Sequence, residues 1–166
     1  MIPIPATAVS IEPIRYVRKP RGRYPFVLTR NFVVDLGLGL PPTFHADFYT
    51  GTRCLGVLRG DELTIFAGYA SDGASPGWII PWLGWRIGTP SPASAAPGFF
   101  THDFLYQFAA VQGVPWDRDD ADDIFYDLLR EGNFTAPALY HDCVSLFGGA
   151  FRRLSKIDPS LSCPTT

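Results

Sequence analysis

The chain has 166 residues, 46% of them hydrophobic and 18% charged, with a formal net charge of −2. That length fits one domain, able to bury roughly 70% of the surface its unfolded form exposes, and the composition excludes disorder. The small charge excludes steering of the whole molecule toward nucleic acid, and no apolar run reaches the roughly 18 residues a membrane-spanning helix needs.

Residues 1–24 read as an N-terminal arm, locally basic through Arg15, Arg18, Lys19, Arg21 and Arg23. Such a run suits a solvated or partner-facing segment better than a nucleic-acid site. The start, Met1-Ile2-Pro3-Ile4-Pro5, has neither a charged region nor an unbroken apolar stretch, so it does not read as a secretory signal. A single α+β domain is expected over 25–155, with a C-terminal tail over 156–166. Cys54, Cys143 and Cys163 are odd in number, far apart and without a Cys-x-x-Cys pair. Neither a disulfide framework nor a cysteine zinc site is indicated, and a reducing compartment is the simpler expectation.

Phe26-Val27-Leu28 and Phe32-Val33-Val34 suit strands, and residues 53–58 and 62–69 flank Gly60-Asp61, a two-residue hairpin turn with glycine first. The N-terminal half therefore reads as a small antiparallel sheet. Residues 71–98 hold five prolines and five glycines and read as loop. Trp78, Trp82 and Trp85 would be costly to leave in water, so this is an interaction loop, either a lid over the helices or a contact with another protein.

From Phe99 the apolar spacing becomes helical. A first helix is expected to start near Pro97 and end before Gly113. A second starts at Asp117 as N-cap, carries acids through its first turn and stops at Gly132-Asn133. A third follows Thr135 and Pro137, with Leu139, Cys143, Leu146 and Phe147 as its apolar stripe, and Gly148-Gly149 either ends it or lies inside a longer helix. The fold class is α+β, a small sheet followed by a three-helix C-terminal half.

On the first helix His102 and Tyr106 lie four apart on one face, with Asp103 sharing an edge with Tyr106. On the second, Asp122 borders an apolar face continued by Phe125 and Leu129. If the two helices pack antiparallel, Asp122 reaches His102 and accepts its ring N–H, leaving the other nitrogen as a base. Asp103 would then be placed for a hard cation such as calcium, together with Asp72 and loop carbonyls from Ser71 to Ser75, since calcium takes carboxylate and backbone oxygens. Each part also has a plainer role: His102 as a satisfied structural group, Asp72 as a turn closer, and Asp117 to Asp123 as complements to a helix dipole. His141-Asp142 reads as helix surface, and Ser75 lacks the Gly-x-Ser-x-Gly elbow of a serine nucleophile.

Four ordered motifs carry a resemblance: Ser71-Asp72-Gly73-Ala74-Ser75-Pro76, His102-Asp103-Phe104-Leu105-Tyr106, Ala121-Asp122-Asp123-Ile124-Phe125 and Leu146-Phe147-Gly148. Over roughly residues 25–152 they resemble a family of unknown function encoded by bacteriophages and prophages. More distantly, His-Asp-x-x-Tyr followed by Asp-x-x-Phe-Tyr on the next helix resembles the helix pair of secretory phospholipases. That resemblance implies His102 as the base that activates water, Asp122 as its orienting partner and Tyr106 as support for the carboxylate. It places Asp103 and Asp72 on calcium. Phe99, Phe100 and Thr101 stand where those enzymes usually carry cysteines beside the histidine.

Two functions are expected. One is a structural or assembly component of a virion, in a tail, baseplate or similar part, with other virion proteins as partners and the virion or host cytoplasm as its place. The alternative is a metal-assisted hydrolase of phospholipid esters or another envelope component, using the His-Asp dyad.

Overall fold

The computed structural model describes residues 7–19, 26–71, 78–80, 85–87 and 93–152, with 78–80, 85–87, 143 and 146–152 described through their backbone alone. Asp72 and Trp82 lie outside the described residues, as do the side chains of Trp78 and Trp85, so the interaction loop and the Asp72 half of the cation site fall there too.

Two-residue alternation builds the sheets. In β3 (Phe26–Leu28) and β4 (Phe32–Asp35), Phe26, Leu28, Phe32 and Val34 are buried while Val27, Val33 and Asp35 are only half-buried, as a pleated strand with one core face requires. A five-stranded antiparallel sheet runs β1-β4-β7-β6-β5, with β1 at Val9–Ser10, β5 at His45–Thr50, β6 at Arg53–Arg59 and β7 at Glu62–Ile65. The β6–β7 turn falls at Gly60-Asp61 as expected, with Gly60 at φ 55°. The second run ends at Ile65, short of the expected Tyr69. Ala70–Ser71 (β8) instead joins a three-stranded antiparallel sheet with β3 and β2 (Tyr16–Arg18).

Two segments differ from expectation. Residues 7–19 are no free arm, because β1 pairs with β4 and β2 with β3, and the Ser10 amide donates to Glu131 at 2.8 Å. Within the expected loop, β9 (Trp78–Ile80) and β10 (Trp85–Ile87) pair antiparallel as a hairpin. Proline and glycine on either side of each short apolar run set off two strands as readily as one loop.

Helix α1 (Ala96–Phe108) is the hub. It follows a short 3₁₀ turn at Ala93–Ala95 and carries proline in its first turn. Phe100, Phe104 and Phe108 repeat every four residues and meet the sheets. Phe104 meets Phe48 and Tyr69 edge-to-face, and Phe100 packs on Tyr16 and Phe108 on Phe48 in tilted pairs. Gly56 on β6 lets Phe104 in: a Cβ there would stand 2.6 Å from the Thr64 carbonyl oxygen and 2.8 Å from the Phe104 ring.

Helix α2 (Arg118–Glu131) starts where the sequence placed it. Asp117 caps it by accepting from the Asp120 amide at 3.0 Å, and the Asp120 carboxylate accepts from the Asp117 amide at 2.9 Å, a reciprocal box. Helix α3 (Pro137–Arg152) runs through Gly148-Gly149. Of its expected stripe, Leu139 is 48% exposed while Tyr140 and Val144 pack on the core; the side chains of Cys143, Leu146 and Phe147 lie outside the described residues. Polar bonds from α2 to Val144 and Ser145 fix this face, and helical periodicity alone carries no sign of them.

Gly56→Ala is expected to lower stability by about 1–3 kcal/mol through overpacking, read as a reduced urea midpoint at unchanged slope.

Candidate functional site

The contact register between α1 and α2 sets the site. Gly98 faces Phe125 and Leu129, His102 faces Phe125 and Asp122, and Tyr106 faces Asp122 and Arg118. Rising numbers on α1 meet falling numbers on α2, so the helices are antiparallel. Gly98 allows the close approach, since a Cβ there would lie 3.1 Å from the Phe125 ring.

Asp122 is 2% exposed. Its Oδ1 lies 3.0 Å from His102 Nε2 and accepts from the Tyr106 hydroxyl at 2.6 Å. Its Oδ2 accepts from Ser145 Oγ at 3.1 Å and sits 3.8 Å from Arg118 Nε. Burial alone would raise this carboxyl, but the hydrogen bonds from His102, Tyr106 and Ser145 outweigh burial and hold it below its ordinary value of 3.8. Asp122 is therefore ionised near neutrality and accepts only. Two proton positions follow. His102 Nε2 carries the hydrogen, so in neutral His102 the lone pair is at Nδ1. Tyr106 donates to Asp122, because Arg118 Nε donates to the Tyr106 oxygen at 3.0 Å. Burial first, and the Asp122 carboxylate second, push the Tyr106 hydroxyl well above its ordinary range. The bond to Tyr106 holds Arg118 more firmly protonated than usual.

The His102 ring is held flat on its other sides. Tyr106 stacks on it at 4.1 Å and Phe125 at 4.8 Å between centroids. Among the described residues nothing bonds to Nδ1, and 11% of the side chain stays exposed. Beside it, Ser71 at the end of β8 donates to Asp103 Oδ2.

The structure thus brings together His102, Tyr106 and Asp122 as one hydrogen-bonded unit, while Asp103, next to His102 in the chain, takes a separate bond from Ser71. Among the described residues no group of three or more His, Cys, Asp or Glu side chains could hold a metal ion. Asp103 and Ser71 supply one carboxylate and one hydroxyl, short of the six to eight oxygens calcium takes. The described residues do not make a calcium set by themselves.

Three participants escape a sequence reading. Ser71 was expected to offer a backbone carbonyl to a cation, not its hydroxyl to Asp103; Arg118 is signalled only by its i,i+4 spacing to Asp122, and Ser145 carries no local signal at all. His141, read as surface, is half-buried against the Tyr126 ring and lies 3.3 Å from Asp123.

The comparisons with known proteins add one match. Residues 53–142, more than half of the chain, match a family described as "Protein of unknown function (DUF1353)". The match spans α1, α2 and the whole His102–Asp122 unit. No curated protein and no solved structure matches the chain.

A depressed carboxyl contributes stability that is present above its ordinary value and lost as pH falls through its folded value. Asp122→Ala is therefore expected to cost about 3–5 kcal/mol near neutral pH, as loss of one partner from a buried charged network does. The gap from wild type should narrow as pH drops below 3.8, read from urea unfolding midpoints at each pH.

Proposed function

Since the chain belongs to the DUF1353 family, whose function is unknown, its chemistry has to come from its own residues, and we propose that it is a hydrolase in which His102 activates water against an ester. The observation that carries this reading is the buried Asp122 anion. It receives His102 Nε2–H while Nδ1 keeps its lone pair and has no protein partner among the described residues. A ring nitrogen that keeps its lone pair beside a fixed N–H donor is what a general base requires.

The step balances as follows. Nδ1 takes a proton from water as the water oxygen bonds to the ester carbonyl carbon and the carbonyl π pair moves onto its oxygen. The bond to the leaving alcohol then breaks, and Nδ1–H returns the proton to the departing alkoxide. Acid and alcohol leave, and His102 is neutral again. Asp122 stabilises the imidazolium formed in between, and Tyr106 holds Asp122 in place; both are positioning residues.

A phospholipid ester is the substrate class favoured by the resemblance to the secretory phospholipase helix pair. Asp103, with Asp72, is the proposed cation side of the same site, and no step above depends on it. Assembly into a virion, the other expectation, rests on a resemblance and on the tryptophan segment, and gains no residue from this geometry.

The test is hydrolysis of phospholipid vesicles of several head groups by purified protein, with millimolar calcium and with a chelator. His102→Ala is expected to lower the rate by about 10²–10⁴-fold, the usual contribution of a general base. Asp103→Asn is expected to reduce any calcium dependence. No hydrolysis by wild type under any condition, with His102→Ala changing only the melting temperature or particle assembly, would remove the enzyme reading.

A further inference from the structure

Arg118 joins three helices. Its Nε donates to Tyr106 on α1 at 3.0 Å, and its terminal nitrogen donates to the Val144 carbonyl on α3 at 3.0 Å and to the Ser145 carbonyl next to it. Ser145 in turn sends its hydroxyl to Asp122 Oδ2 at 3.1 Å. We infer that Arg118 and Ser145 are positioning residues that make the docking of α3 a condition for the geometry of the His102–Asp122 pair, an inference whose effect on turnover rests on the hydrolase reading.

The physical case has two parts. A carboxylate rotates about its Cβ–Cγ bond unless both oxygens are held. His102 and Tyr106 hold Oδ1; among the described residues Ser145 is the one hydrogen-bond donor to Oδ2. Without Ser145, Asp122 can turn Oδ1 away from Nε2. The second part concerns Tyr106, whose single hydroxyl hydrogen could point elsewhere. Arg118 donates to its oxygen, so the hydrogen is left for Asp122. A guanidinium does this while its other nitrogen binds α3, because its donors form a rigid fork; a lysine ammonium cannot span both.

The deciding readout does not need activity. His102 Nε2–H is a ring proton whose exchange with water reports how firmly it is held, followed in wild type, Arg118→Gln, Arg118→Lys, Ser145→Ala and Ser145→Thr. Arg118→Gln, Arg118→Lys and Ser145→Ala are expected to shorten its lifetime roughly tenfold or more, and Ser145→Thr to restore it. Backbone amides of β7 should exchange as in wild type, which separates local loosening from global unfolding. Ser145 is exposed, so Ser145→Ala folds even if the Arg118 variants do not.

In the ester assay the same loosening should lower kcat by about 10- to 100-fold, as misplacement of a catalytic group does, with little change in KM. A wild-type lifetime in Ser145→Ala overturns the inference whatever the activity. A shortened lifetime in a protein that hydrolyses no ester upholds the inference and removes only the hydrolase reading.

Discussion

A carboxylate taken out of water must be repaid by hydrogen bonds and a counter-charge, and Asp122 is the point where this protein meets that demand. At 2% exposure it has no solvent to rely on, and its partners come from all three helices: His102 and Tyr106 donate from α1, Ser145 donates from α3, and the Arg118 guanidinium on its own helix stands 3.8 Å away as a counter-charge. Each of those groups is placed by the requirement, so the antiparallel docking of α1 on α2, the seating of Val144 and Ser145 on α3 and the tautomer of His102 are one arrangement seen from different sides. A buried ion pair is weak support for stability. Here it does something else: it fixes which way a base faces.

Helix α1 can present that base because it is enclosed on almost every side. Its phenylalanines at 100, 104 and 108 meet the two sheets, and Gly98 with His102 meets α2. A helix held on two opposite faces has little freedom to rotate, which keeps the His102 ring between Tyr106 and Phe125. The sheets also deliver Ser71 to Asp103 through β8, a strand of two residues whose position depends on its pairing with β3. Position in the fold, more than local sequence, decides what stands next to the histidine.

Much of this was legible from the residues. Helix starts and stops were, because Asp117 and Gly132-Asn133 are local signals with local causes. The His102–Asp122 contact was, because i,i+4 spacing on one helix and an acid at the edge of an apolar face on the next leave few ways to pack. The outward turn of Leu139 on α3 was not. Leu139 looks apolar in sequence yet is exposed, and the deciding contacts are polar bonds at Val144 and Ser145 that no periodicity reports. The strands in 7–19 and the β9–β10 hairpin were missed for a related reason: two- and three-residue strands are defined by their partners, and pairing between distant segments leaves no local trace.

The account stands on one proton. If ionised Asp122 orients His102, then the long-range proton–nitrogen correlation spectrum of the neutral imidazole shows Nε2 protonated and Nδ1 as the bare, pyridine-like nitrogen, in a single tautomer. A spectrum with the hydrogen on Nδ1, or one averaged between the two nitrogens as in a free imidazole, would contradict it.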